Sequence, residues 1–194
     1  MAARAMIRTV EAMKIDPFDE SLDHRRILPY DPVYSEIFAD LQGYVREKLA
    51  GVELVHIGST AIPDLRGKPM VDVVAVTHRG DLRAVQKEFE ELGFQRRAVW
   101  VDRDDKPYVC ASVKHDGRRF NINIHICHPK ARVHVDSVVF AAILAQRPDL
   151  RRTYEEAKDR AHSVDPANPE IYNRAKQTVI AAIHDEIEKS RSNG

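Results

Sequence analysis

The chain has 194 residues, 43% of them hydrophobic and 31% charged, with 30 Lys and Arg side chains against 30 Asp and Glu, so its formal net charge is zero. That length and composition suit one medium globular domain, or a domain with a helical appendage. A protein that holds DNA or RNA over many phosphates usually carries a basic excess, so the balance argues against nucleic acid as the main ligand.

Residues 1–27 read as an N-terminal extension. Ala5 to Lys14 has a short helical pattern, and Pro17 breaks it by disfavouring a helical Asp16. The folded domain opens at Leu28-Pro29-Tyr30-Asp31-Pro32 and is expected to run to about residue 190. Asp31 suits an N-cap, with Pro32 at the first helical position. The helix from Pro32 to about Leu49 would put Val33, Ile37, Leu41, Tyr44, Val45 and Leu49 on one face. Val52 to Ile57 reads as a short strand. Met70 to Val76 is almost wholly apolar, as a central strand buried on both faces would be, and Asp72 is its lone charge. Asp81 then caps an amphipathic helix, about Leu82 to Leu92, which Gly93 ends.

Phe94 to Val101 and Tyr108 to Lys114 have strand patterns joined by an Asp-rich loop. Asp116-Gly117 is a tight-turn pair. Arg119 to Cys127 alternates strictly, with Phe120, Ile122, Ile124 and Ile126 on one face and Asn121, Asn123, His125 and Cys127 on the other. This region reads as a meander of antiparallel strands. Three helices follow, about 135–146, 150–162 and 170–188.

The densest chemistry lies in His56-Ile57-Gly58-Ser59-Thr60-Ala61-Ile62-Pro63 and Lys68-Pro69-Met70-Val71-Asp72. A Gly-Ser turn after a buried strand makes a phosphate cradle: Gly58 lets the backbone approach an anion, and Ser59 and Thr60 offer hydroxyls and amides. Lys68 would offset phosphate charge. Asp72, on the next strand, would hold the metal that accompanies a phosphate. The bland alternatives are an ordinary turn and a buried ion pair of Asp72 with Lys68 or an arginine. Neither a GxxxxGK[ST] loop nor a GxGxxG is present. His125, between two isoleucines, is a candidate metal ligand or general base, with Asn123 beside it. A solvated strand face is the alternative for Asn121. His128 and His134 lie close enough in sequence to extend the cluster. Asp102, Asp104 and Asp105 read as a solvated hairpin tip, because the Gly and terminal Glu of a calcium loop are missing. Tyr154/Lys158 and Tyr172/Lys176 are pairs at helical spacing, read as packing with snorkelling lysines, with cleft lining as the alternative.

Two cysteines, Cys110 and Cys127, make neither a disulfide framework nor a zinc site. Met1 to Lys14 lacks an apolar core of signal-peptide length, and no run approaches the roughly 18 apolar residues of a membrane span. A reducing cytoplasm is the expected compartment.

The segments quoted above, from Leu28-Pro29-Tyr30-Asp31-Pro32 to the late helices, resemble the GrpB family over about residues 28–188. That resemblance implies a nucleotidyltransferase-like fold: α/β, with a mixed, largely antiparallel sheet and a C-terminal helical layer. The family is also found fused to dephospho-CoA kinases. The chain departs from the family's pattern at Tyr34 (often Trp), Asp64 (often Gly), Gly67 (often Ala), Asn123 (often His) and near Phe140-Ala141-Ala142, where a family arginine is missing. The wider superfamily follows Gly-Ser with an Asp-x-Asp strand, whose two acids share a face and can hold two ions about 3.5–4 Å apart. Here, as is usual in the GrpB family, the second position is apolar, Val74.

Two main readings follow. One is a nucleotide-dependent transferase or ligase. It would use a nucleoside triphosphate with Mg²⁺ or Mn²⁺, with Gly58, Ser59, Thr60 and Lys68 on phosphate, Asp72 and His125 catalytic, and Asp72, Asn123 and His125 around the metal. The other is a non-catalytic nucleotide- or coenzyme-binding module with a degenerate metal site. A regulatory protein acting through its helical end is a third. The sequence names no acceptor and no oligomeric state.

Overall fold

The computed structural model describes residues 13–22, 26–97 and 102–164, together with 174, 177, 179–182 and 185. Helix α1 spans Val33–Lys48, β1 Val52–Ile57, β2 Met70–Thr77, α2 Leu82–Glu91, β3 Tyr108–His115, β4 Arg118–Cys127, α3 Arg132–Gln146 and α4 Pro148–Val164, with a one-turn 3₁₀ helix at Ser59–Ala61.

Alternation along β4 organises the sheet. Phe120, Ile122, Ile124 and Ile126 join Val71, Val73 and Ala75 of β2 and Val109, Ala111 and Val113 of β3 on one face. Ile37, Leu41 and Val45 of α1 and Val85 and Phe89 of α2 cover that face. Each such side chain contributes on the order of 1.5–3 kcal/mol when fully buried. The strand order is β1-β2-β4-β3. β1 and β3 are antiparallel to their neighbours, but β2 and β4 run parallel, with Asp72 beside Asn123 and Val74 beside His125. The antiparallel run expected after Gly93 is therefore confined to the β3–β4 hairpin. Of the strand expected at Phe94–Val101, the described part pairs only at Gln95, opposite Cys110; residues 98–101 lie outside the described residues.

The helix ends follow local chemistry. The Asp31 carboxylate accepts from the Val33 amide at 3.1 Å, and Asp81 accepts from Ala84 at 3.0 Å. Asp116 and Gly117 both have positive φ, as a type I′ hairpin turn requires.

Of the residues read as an extension, the described segment 13–22 meets the outer edge of β3 at Asp16; residues 1–12 and 23–25 lie outside the described residues. Asp16 and Ser112 exchange backbone hydrogen bonds of 2.9 and 2.8 Å, and Arg119 pairs with Asp16 and Asp19. Asp16 and Gln95 together cap an edge that would otherwise be open to another strand. Asp102 is no solvated tip: its carboxylate binds Arg83 at 2.6 Å, Gln86 at 3.1 Å and the Tyr108 amide at 3.1 Å, tying the loop to α2.

Helix α4 packs Tyr154 and Ala157 against Phe140 and Leu144 of α3 and Ile62 and Leu65 of the loop before β2. Lys158 does not snorkel. It is fully buried, donates to the Arg66 carbonyl, and lies 4.6 Å from the centre of the Tyr154 ring. Tyr172 and Lys176 lie outside the described residues. Among the described residues no helix is long and apolar enough to cross a membrane.

Candidate functional site

The sheet face opposite the α1–α2 core carries the candidate chemistry. Strand pairing lines up Ile57, Asp72, Asn123 and Cys110 in one row across it, and Val55, Val74, His125 and Tyr108 in the next. Phe18 of the N-terminal segment covers Tyr108 and Cys110. Ala131 and Val133 pack over Ile57, Val74, Val76 and Cys127. Asp72 and His125 sit on the stretch of sheet between these two covers.

The Gly58 turn lies directly on Asp72. Gly58 has φ 74° and ψ −168°, and a Cβ there would stand 3.0 Å from Asp72 Oδ2 and 3.3 Å from Asp72 Cβ. Only glycine lets the backbone pass this close to the carboxylate. The turn then coils as 3₁₀, with Ala61 and Ile62 donating to Gly58 and Ser59. The amides of Ser59 and Thr60 are the ones such a turn leaves unused. The Ser59 hydroxyl makes no hydrogen bond among the described residues. Its Cβ packs on Gly67, where an added Cβ would stand only 2.5 Å from it; the alanine common in the family at this position would force Ser59 to move. Asp64, where the family often has glycine, has φ 64°, a left-handed turn position that Asp tolerates better than most residues.

Thr60 faces the other way. It is buried, and its hydroxyl donates to the Met70 carbonyl at 3.0 Å while facing His56 Nε2 at 3.1 Å. With that hydroxyl proton committed, the imidazole proton belongs on Nε2. His56 stacks on Phe38 at 4.9 Å, and burial pushes its pKa down to about 4. Thr60 thus contributes its amide to the turn and its hydroxyl to the scaffold. Lys68 is half-buried in the loop that leads into β2.

Asn123 turns its amide NH₂ to Asp72 Oδ1 at 2.9 Å. Its carbonyl oxygen accepts from the Tyr108 hydroxyl. Burial first, then Cys110 and Asp72, push the Tyr108 pKa up, so the phenol stays a donor. Asn123 therefore braces Asp72 as a donor; the oxygen that could ligate a metal is already engaged. The His125 ring leans on Tyr108 at 5.3 Å, and its Nδ1 is buried without a hydrogen-bond partner. Burial and the charge of Lys106 lower the His125 pKa to about 4, so the ring is neutral near pH 7. Both thiols are buried with pKa pushed up to about 11, which removes them as nucleophiles.

Among the described residues no three His, Cys, Asp or Glu side chains gather closely enough to hold a metal ion. The structure brings Gly58, Ser59, Asp72 and Asn123 together, places His125 one row further on, and turns the Thr60 hydroxyl inward. His128 bonds the Thr77 carbonyl and His134 the Pro129 carbonyl, so neither extends the cluster. A cleft of about 410 Å³ lined by Arg46, Glu53, Val76, His78 and His134 lies at the far end of β1 and β2; Gly58, Ser59, Asp72, Asn123 and His125 are not among its lining residues. Sequence reasoning missed Tyr108, whose only signal was its place on the strand beside Asn123 and His125.

Comparison with known proteins agrees with this architecture. Residues 25–186 match the family described as GrpB protein. The UPF0157 protein PA4798 of Pseudomonas aeruginosa is 29% identical over 166 residues, covering 83% of this chain, which spans 66% of that relative's length. The UPF0157 protein SCO7215 of Streptomyces coelicolor is 29% identical over 159 residues, 79% of each chain. Among solved structures, the conserved protein GrpB from Enterococcus faecalis superposes with a TM-score of 0.67 at 23% identity, covering 86% of this chain and 99% of that one. The Cid1 poly(U) polymerase with MgGTP bound superposes with a TM-score of 0.52 at 16% identity, over 71% of this chain and 44% of that one. The fold is nucleotidyltransferase-like, and the chain belongs to the GrpB family.

Proposed function

We propose that this chain binds a nucleoside triphosphate or a coenzyme phosphate at the Gly58–Ser59 turn and uses it in a transfer or ligation reaction supported by one divalent cation on Asp72. The observation that carries this reading is the contact of the turn with the acid: a Cβ on Gly58 would stand 3.0 Å from the Asp72 carboxylate. A phosphate seated on the Ser59 and Thr60 amides and the Ser59 hydroxyl would lie beside that carboxylate. Mg²⁺ is commonly held by one or two carboxylates plus the substrate's own phosphates, so a single acid is compatible with a cation that arrives with the nucleotide. When bound, that cation, Mg²⁺ or Mn²⁺, would neutralise phosphate charge. Asn123 would orient Asp72, and Lys68 would offset the remaining charge. His125 is neutral and can accept a proton, though weakly, at a pKa of about 4. Solved structures of similar fold hold MgGTP and MgATP. The two free, buried cysteines support a reducing cytoplasm as the setting.

A second reading is non-catalytic nucleotide or coenzyme binding. Val74 in place of a second acid and the Asn123 amide on Asp72 favour it. A thermal-shift screen of nucleotides and coenzyme A, with and without Mg²⁺ or Mn²⁺, tests both, because a ligand of the native state raises the midpoint by mass action. A shift that needs the metal supports the first reading, a metal-independent shift the second, and no shift with any compound rejects both.

A further inference from the structure

We propose that Lys106 and His125 form an oxyanion-binding subsite on the Asp72 face, separate from the Gly58–Ser59 turn. The argument starts from the alternation of β3. Tyr108 and Cys110 point to the Asp72 face, opposite His125 and Asn123. Lys106 lies two residues before Tyr108, and the Ile126 amide donates to the Pro107 carbonyl at 2.8 Å, so the β3–β4 pairing continues past Tyr108 and alternation assigns Lys106 to the same face. The charge of Lys106 is felt by both His125 and Cys127, the two side chains that end that face of β4.

Lys106 is half-buried and forms no ion pair or side-chain hydrogen bond among the described residues. Asp105, whose charge acts on Lys106, is engaged by Arg103 through two bonds of 2.9 Å. Burial first, then the charge of Arg103, lowers the Lys106 pKa against the opposing pull of Asp105. A second, independent observation concerns His125, whose ring feels the Lys106 charge: its Nδ1 is buried with no hydrogen-bond partner among the described residues. Buried polar atoms are nearly always satisfied, and one left open in the field of a cation fits a ligand oxygen. A neutral imidazole can carry its proton on Nδ1 and donate it, while the ammonium supplies the charge. An oxyanion completes both groups. Its source is either the phosphate chain of the nucleotide or an acidic group on the acceptor. This inference rests on the nucleotide reading only for the choice between these two sources.

The test uses the full chain and inorganic phosphate as probe, followed by calorimetry and by ¹⁵N shifts of the His125 ring. Phosphate should bind the wild type and move the His125 ring nitrogen resonances. Lys106→Met should weaken binding at least tenfold, and Lys114→Met, an exposed charge control, should not. Without ligand, Lys106→Met should melt above the wild type, because it removes an unpaired, partly buried charge; this readout also shows that the variant folds. Repeating the titration with saturating ATP and Mg²⁺ assigns the source: competition means the nucleotide's own phosphate, and unchanged affinity means the acceptor. Absence of phosphate binding by the wild type, or equal binding by Lys106→Met, overturns the subsite. Failure of ATP alone to bind overturns the nucleotide reading and leaves the phosphate result to stand by itself.

Discussion

Gly58→Ala probes the contact on which the candidate site is built. Gly58 sits at φ 74° and ψ −168°, a region essentially restricted to glycine, and forcing another residue there costs about 1–3 kcal/mol. The new Cβ would also stand 3.0 Å from Asp72 Oδ2 and 3.3 Å from Asp72 Cβ. The strand cannot retreat, because Asp72 is paired with Ile57 on one side and Asn123 on the other. Crowding of this kind adds roughly 1–3 kcal/mol. A total of about 2–6 kcal/mol corresponds to a fall in Tm of roughly 4–24 °C for a chain of this size. Circular dichroism or calorimetric melts of Gly58→Ala, Asp72→Ala and the double variant separate the two causes. Asp72→Ala removes the carboxylate but leaves the backbone strain, so the double variant should recover about 1 kcal/mol relative to additivity. If the two substitutions add to within about 0.5 kcal/mol, the turn and the acid do not touch in solution and the site geometry is refuted.

Other substitutions test neighbouring parts of the account. Asn123→Asp replaces the donor to Asp72 with a second carboxylate; it should cost about 2–3 kcal/mol at neutral pH and be relieved in acid or by millimolar Mg²⁺, which melts across pH and metal concentration will read. His56 and His125 have pKa values lowered to about 4 in the fold, against about 6.5 in an unfolded chain. Between these values the unfolded state binds more protons, so stability is full above pH 6.5 and falls as the pH drops toward 4, by at most roughly 3 kcal/mol for each ring. A pH series of urea unfolding should show this slope, and it should be shallower in His56→Gln; an unchanged slope contradicts the burial argument. Asp64→Gly should raise stability by about 0.5–1 kcal/mol, since Asp64 has φ 64° and glycine takes that conformation without strain.

What could be read in advance followed local periodicity. The alternation of Phe120, Ile122, Ile124 and Ile126 marked the core face of β4, and the apolar run around Asp72 marked a central strand. Asp81 and the Asp116-Gly117 turn carried their own local signals. The rest depends on contacts between residues far apart in sequence. Nothing near Asp16 or Asp19 says that they will meet Ser112, Asn121 and Arg119. Nothing in Lys158 says that it will be buried against the Arg66 carbonyl. In the site, residue type was legible but orientation was not. Thr60 looked like a phosphate ligand, but the open Met70 carbonyl captured its hydroxyl. Asn123 looked like a metal ligand through its oxygen. Its parallel pairing with Asp72 turned the amide toward the negative charge, and Tyr108 took the oxygen. Lys106 carried no signal until the structure showed it half-buried, with no ion pair among the described residues.

The central claim is that Gly58, Ser59 and Asp72 form one nucleotide-phosphate site that uses a single cation. Isothermal titration of ATP into the wild type and into Asp72→Asn, each with and without Mg²⁺, tests it most directly. The account predicts binding to the wild type that strengthens with Mg²⁺, and a loss of that magnesium dependence in Asp72→Asn while the protein still melts cooperatively. The same magnesium dependence in both proteins, or no nucleotide binding by either, would contradict it.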